Sequence, residues 1–211
     1  VNPDKTRFKP HGPEDLAHYA KAAYDIEYEF PFGWQEFEGI HNRTDFDLKR
    51  HQEYSGKKLE YVDPTNRDKR YVPYVIETAV GVGRTMLVAL ADAYREEEVQ
   101  GEQRVVLALH PRLAPIKAAI FPLVNKDGMP EKARAVHSAF RKAGINSFFD
   151  DSGSIGRRYR RQDEAGTPFC ITIDGQTSED DTVTVRDRDS LVQSRVSIDA
   201  LIGFVSDRIR D

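Results

Sequence analysis

The chain has 211 residues, of which 39% are hydrophobic and 31% charged, and it carries a formal net charge of −4. That balance suits a soluble globular chain of one large or two small domains, and it leaves no overall basic field, so any nucleic-acid contact must use a local patch. A single cysteine, Cys170, excludes disulfides and cysteine-rich zinc sites within the chain, and no apolar run reaches membrane-spanning length.

The start, Val1-Asn-Pro-Asp-Lys, lacks the apolar stretch of a signal peptide, which makes the cytoplasm the expected location. Residues 13–23 read as a short helix, with Pro13 in the first turn and Glu14 and Asp15 at the positive end of the dipole. Tyr24 to Phe30 alternates: Tyr24, Ile26, Tyr28 and Phe30 on one face, Asp25, Glu27 and Glu29 on the other. After the Pro31-Phe32-Gly33 turn, Trp34 to Ile40 alternates again, so the two segments read as an antiparallel hairpin. Residues 41–72 are polar. His41, Asp45, Asp47 and His51 lack the tight spacing of a metal site, and a solvated loop and helix is the expectation. Asp63-Pro64-Thr65-Asn66-Arg67-Asp68 is rich in turn formers.

The next stretch, Pro73 to Tyr94, organises the chain. A short apolar strand, Tyr74 to Ile76, leads through a glycine turn, Gly81-Val82-Gly83, into a helix with Met86, Leu87, Leu90 and Ala91 at helical spacing. Glu77 and Arg84 interrupt this apolar context. A carboxylate before a glycine turn and a guanidinium after it suit a small ligand that carries a cation and a phosphate. Met86 stands where a dinucleotide fingerprint needs its third glycine, which excludes a Rossmann site.

The charged run from Glu96 to Gln103, with Gly101, marks a boundary between domains 1–100 and 101–211. Beyond it, strands at 116–124, 145–149, 169–173, 183–185 and 195–197 interleave with helices at 130–143, 155–165 and 198–209. That order implies a sheet that is parallel in part and antiparallel near its end. Cys170 alternates within the 169–173 strand as a buried, inert thiol. Arg157, Arg158, Arg160 and Arg161 form a basic cluster on the 155–165 helix, and Tyr159 between them offers a surface on which an unpaired base could stack.

Several of these segments, in order, resemble one family. Val75-Ile-Glu-Thr-Ala-Val-Gly-Val-Gly-Arg84 resembles motif 3 of class II aminoacyl-tRNA synthetases, in the form found in glycyl-tRNA synthetases of the bacterial homodimeric type. Phe32-Gly-Trp-Gln-Glu-Phe-Glu-Gly-Ile-His-Asn-Arg-Thr-Asp-Phe-Asp-Leu48 is similar to that family's Gly-Trp-x-Glu-Leu-x-Gly-Ile segment. Leu109-His-Pro-Arg-Leu-Ala-Pro115 and Gly153 to Phe169 resemble its anticodon-binding domain. The resemblance implies an α/β (α+β) chain: the end of an antiparallel-sheet catalytic domain, then an anticodon-binding domain with a mixed sheet.

The resemblance also implies a ligase that uses ATP with Mg²⁺ to activate glycine and transfer it to tRNA-Gly in protein biosynthesis. ATP would meet Glu36, Phe37, Gly81, Val82, Gly83 and Arg84, with Arg84 and Glu36 as the catalytic pair. Glycine would meet Glu77, Thr78, Ala79, Val80 and Gly81. The tRNA would meet Arg157, Arg158, Arg160 and Arg161. No metal cage built by the protein alone is expected. The family usually reads Glu-Pro-Ser where this chain has Glu77-Thr78-Ala79, a change worth about 1 kcal/mol for one hydrogen bond. Motifs 1 and 2, which supply the dimer interface and an arginine for the α-phosphate, are expected before Val1, so the chain reads as a C-terminal portion that is inactive alone. The alternative is a non-catalytic, synthetase-like protein that binds tRNA or accompanies a polymerase.

Overall fold

The structure, a computed structural model, describes residues 1–99 and 101–210. It divides into two compact units, Val1–Asp92 and Ala93–Asp211.

The first unit is built on an antiparallel sheet. Strands β1 (Thr6–Pro10), β2 (Ala22–Phe30) and β3 (Gly33–Asn42) are followed by helix α1 (Phe46–Ser55), a small pair β4 (Tyr61–Val62) and β5 (Arg70–Tyr71), strand β6 (Ile76–Val80) and helix α2 (Val82–Ala93). The sheet order is β1-β2-β3-β6. The β2–β3 hairpin forms as its alternation implies, but with a bulge between Ile26 and Glu27. A bulge adds one residue to one strand and so shifts which side chains share a face. Here the extra residue is Phe37 of β3, since Ile26 pairs with Glu38 and Glu27 with Glu36, while β1 pairs with β2 without a shift, so β2 keeps its alternation. Tyr28 and Phe30, with Val88 of α2 and the partly buried Phe37 and Ala91, form the unit's core. Glu27, on the face of Asp25, is buried, with Arg7 at 2.6 Å and Lys9 at 3.2 Å as partners.

The helix expected over 13–23 does not form. The segment makes isolated turns, Asp15 N to Gly12 O and Ala20 N to Ala17 O, before β2 begins. So short a stretch offers few helical hydrogen bonds against the cost of nucleation. The strand expected at Tyr74–Ile76 starts at Ile76 and runs to Val80, so Glu77, Thr78 and Ala79 lie in the sheet, and Gly83 lies inside α2.

In the second unit, the charged stretch 96–103 belongs to a hairpin, β7 (Tyr94–Val99) and β8 (Glu102–Leu107). Gly101 occupies the turn at φ 80°, a conformation that glycine adopts without strain. The sheet proper holds β9 (Ala118–Pro122), β10 (Ser147–Phe149), β11 (Phe169–Ile173), β12 (Thr182–Asp187) and β13 (Gln193–Ser197), in the order β10-β9-β11-β12-β13. β9 pairs parallel with β10 and β11, whereas β11–β12 and β12–β13 are antiparallel, the mixture that the element order implies. Helices α3 (Met129–Lys142), α4 (Ile155–Ala165), the single turn α5 (Thr177–Asp180) and α6 (Ile198–Arg210) complete it. β9 and β11 are buried throughout. Their side chains alternate between two apolar layers: one with Val136 and Phe140 of α3 and Leu201 and Val205 of α6, the other with Cys170 and Tyr159. Both faces of these central strands are covered, which explains their unbroken apolar runs.

Candidate functional site

The first candidate site is built where β6 runs into α2. The antiparallel register sets His41 opposite Glu77 and Gly39 opposite Ala79. Glu77 Oε2 accepts a hydrogen bond from Arg43 Nη1 at 2.8 Å, and His41 Nδ1 lies 3.8 Å from the same oxygen. Arg43 is itself fixed. Its Nε and Nη2 donate to the two oxygens of Asp47, at 2.7 and 3.0 Å, and its guanidinium lies 4.1 Å from the centre of the Tyr19 ring. The hydrogen bonds to Asp47 and then Glu77 raise Arg43 further above its ordinary range, and Arg43 holds Asp47 below the usual carboxylate range. Glu77 thus has one oxygen anchored. Among the described residues Oε1 has no hydrogen-bond partner, which leaves it for a ligand cation. Gly39 makes room for this arrangement, since a Cβ there would lie 2.8 Å from His41 Cε1.

One step along the chain, Gly81 O accepts from Thr85 N at 2.9 Å and from Thr85 Oγ1 at 3.0 Å, and so opens α2. Neither Gly81 nor Gly83 has positive φ. A Cβ at Gly83 would meet nothing within 4 Å, and at Gly81 only Arg84 Cβ, at 4.0 Å. The backbone therefore does not need glycine here, and the two residues leave open surface beside the helix start. Arg84, in the first turn, donates from Nη1 to Glu36 O at 2.9 Å and lies 3.4 Å from the Glu36 carboxylate. A cation at a helix N-terminus opposes the dipole by about 0.3–1 kcal/mol, and an anion bound there reverses the sign. Phe37 packs against the core, whereas Thr78, Ala79, Val80 and Val82 are exposed.

The second candidate is α4, and its four arginines differ. Arg158 is buried, at 3% exposure, and donates to the carbonyls of Pro122 and Gly153. Arg161 is tied to Asp150 and to Ser152 O. Arg160 makes a 3.2 Å contact with the exposed Glu102, and among the described residues Arg157 has no ion-pair partner. Tyr159 turns inward: its hydroxyl lies 2.7 Å from Thr172 Oγ1 and its ring packs on Phe121. It is not free to stack on a base. Arg161 is exposed but paired, so the basic side chains of α4 left without a firm partner among the described residues are Arg157 and Arg160.

Residues 117–208 match the family described as Anticodon binding domain. A glycine--tRNA ligase of Borreliella burgdorferi is 54% identical over 99% of this chain and 47% of its own length. Those of Treponema denticola and Clostridium acetobutylicum are 48% and 51% identical over all of this chain, and over 48% and 45% of their own lengths. This chain is a homologue of the glycine--tRNA ligases. It spans about half the length of the curated relatives it matches.

The homology runs through both units, whereas the matched domain covers β9 to α6 of the second. Arg43, His41 and Gly39 lie in the segment of this homologue that resembles the family, but sequence reasoning did not bring them to Glu77. The signal that could have done so is the alternation of Gly39 and His41 on β3, the strand that pairs with Glu77's own, continued by Arg43 just past its end. Among the described residues, no three His, Cys, Asp or Glu side chains converge as a metal ion would require, and no helix is long and apolar enough to cross a membrane.

Proposed function

We propose that this chain forms part of a cytoplasmic, homodimeric glycine--tRNA ligase, in which the first unit contacts glycine and ATP and the second contacts tRNA-Gly. The observation that carries this reading is the strand–glycine–helix step. It presents a half-anchored carboxylate, Glu77, before the glycines and an exposed guanidinium, Arg84, after them. Whole-chain identity of about half to proteins named as ligases supports it over a non-catalytic tRNA-binding relative.

In the proposed reaction the glycine carboxylate attacks the α-phosphate of ATP and pyrophosphate leaves, giving glycyl-adenylate; a hydroxyl of the tRNA's terminal ribose then attacks the glycyl carbonyl, and AMP leaves. Such chemistry depends on positioning and charge neutralisation more than on protein acids and bases. Glu77 Oε1 receives the glycine ammonium while Arg43 holds Oε2. Thr78, Ala79 and Val80 border the amino acid, and Gly81 keeps the path clear. Arg84 grips triphosphate oxygens, exchanging its contact with Glu36 for phosphate. Glu36, Phe37, Val82 and Gly83 border the nucleotide. Mg²⁺ bound with ATP would neutralise phosphate charge, and Glu36, released from Arg84, is the carboxylate of this chain that would border it. The α-phosphate requires further cationic contacts from the remainder of the relatives' length.

Glycine-dependent ATP–pyrophosphate exchange tests the assignment in a chain joined to the part of the Borreliella burgdorferi relative that it does not match. Glu77→Gln raises KM for glycine by about 2–5 kcal/mol in equivalent binding, because the ammonium loses its partner. Arg84→Ala raises KM for ATP by about 1.5–3 kcal/mol. The 211 residues alone give almost no exchange. Ordinary kinetics in both variants overturns the site.

A further inference from the structure

Two histidines lie beside Glu77's strand, and the proposed reaction gives neither a part. His41 of β3 sits between Ala23 of β2 and Glu77 of β6 in the strand register. His11, just past β1, is fixed by a hydrogen bond from its amide to Ala23 O. The two rings meet edge to face, with centres 6.3 Å apart. Among the described residues, three buried side-chain polar atoms have no hydrogen-bond partner, and His11 Nε2 and His41 Nδ1 are two of them. Such atoms are rare in folded proteins, and two in adjoining rings call for a reason.

The His41 ring has little freedom. It lies back over Gly39, where a Cβ would come within 2.8 Å of its Cε1, and Ala23 beside it is buried. Its Nδ1 is 3.8 Å from Glu77 Oε2, too far for a hydrogen bond but close enough for a charge to be felt. The charges around it are few. Glu77 lies on β6, Arg43 just past β3 with Asp47 of α1 behind it, and Asp25 on β2. Asp25 faces His11, which also has Asp15 beside it, and Lys9 of β1, opposite Asp25, is paired with Glu27. Arg43, Asp47 and Glu77 together carry one net negative charge, which an ammonium group would cancel. A proton on His41 would cancel it first.

We infer that His41 is a positioning residue for the amino-acid site, acting through Glu77: neutral, its ring confines the carboxylate, and protonated, it competes with the glycine ammonium. This rests on the reading above that Glu77 receives that ammonium. Histidine is the side chain that ordinarily changes charge between pH 5 and 8, whereas an ammonium group stays charged over that range. The competition is therefore switched by His41 and not by the ligand. Two cations on opposite oxygens of one carboxylate stand about 7 Å apart, and at a dielectric between those of a protein surface and water their repulsion weakens binding roughly three- to tenfold. By linkage, glycine that binds beside a protonated His41 drives the proton off.

The joined chain described above carries the test. In the parent, KM for glycine in ATP–pyrophosphate exchange should fall roughly three- to tenfold between pH 5.5 and pH 8. His41→Gln, which cannot take a proton, should flatten that fall. Calorimetry of glycine binding at pH 6.5, in two buffers that differ in ionisation enthalpy, should show protons released by the parent and none by the variant. His41→Ala keeps the comparison readable if glutamine does not fit. A His41→Gln profile as steep as the parent's overturns the inference even where Glu77→Gln raises KM for glycine. So does a loss of activity in His41→Gln that is equal at both pH values, or a profile that His11→Gln alone flattens. Glu77→Gln without effect on glycine use would instead remove the reading of the site on which the inference rests.

Discussion

Glu77 is positioned by a residue 34 positions away, Arg43, which fixes one of its oxygens. Glu77 and Arg84 were legible in the sequence, since a charge inside an apolar run stands out. Arg43 was not, because it lies in a polar stretch where one more charge forms no pattern, and only the β3–β6 register brings it to its partner. The same limit hid the division of labour among the arginines of α4, where burial of Arg158 depends on carbonyls from two other segments. Just past β1, His11 Nε2 lies 2.9 Å from Asp25 Oδ1 of β2, off the line of a well-formed hydrogen bond, and the His41 ring centre is 6.3 Å from its own. Asp25 above all, opposed by desolvation and helped by Asp15, raises the His11 imidazole above its ordinary 6.5. A raised histidine contributes stability that is fully present below the unfolded value and is lost as pH rises through the folded one. His11→Gln should therefore destabilise the protein more at pH 5.5 than at pH 8.5, as urea midpoints would show. A difference between variant and parent that is flat across that range would mean that the contact carries no proton linkage.

At the scale of elements, legibility followed periodicity and punctuation. The 155–165 helix and the 169–173 strand were readable to the residue. The helix ends in Gly166 at φ 80°, and the strand is an apolar run bounded by turn formers. The 13–23 helix failed because two isolated turns bring the chain to β2. The β7–β8 hairpin is hidden by its own charges, because a charged run with a glycine reads as a boundary between domains. What fixes that hairpin is Arg104. This side chain, 2% exposed, donates from Nε to Asp163 Oδ2 at 2.9 Å and also reaches Glu97 and Arg188 O. Arg186 donates to both Asp163 oxygens, at 2.9 and 3.0 Å. One fully buried carboxylate therefore serves two buried guanidiniums. Asp163→Asn keeps the volume and removes the charge, and it should cost about 3–5 kcal/mol, since buried charges left without a partner are strongly unfavourable. Denaturant unfolding would read this directly. A loss below about 1 kcal/mol, the size of one ordinary hydrogen bond, would mean that Glu97 and the carbonyls suffice to hold both arginines.

For the molecule as a whole, the formal charge of −4 limits how it can engage a polyanion, because no long-range field draws RNA to it. Contact must come from cations that are free to leave their present partners. In the region that matches the anticodon binding domain, Arg158 and Arg161 are committed to carbonyls and to Asp150. Arg160 has only the exposed Glu102, a surface pair of the kind worth about 0–1 kcal/mol, which a phosphate can displace. Arg157 has no ion partner among the described residues. If α4 faces tRNA, Arg157→Ala with Arg160→Ala should weaken tRNA binding and flatten its dependence on the logarithm of salt concentration. The expected change in slope is about 0.7 for each phosphate that the variant no longer neutralises on single-stranded RNA. Arg158→Ala should behave differently: it removes a buried hydrogen-bonding group, so it lowers the unfolding midpoint, and its effect on RNA follows the folded fraction. Filter binding across a salt series, with thermal unfolding of each variant, separates the two behaviours. An unchanged affinity and slope in the double variant would make α4 a solvated face and move the search for the tRNA contact to another surface of the second unit.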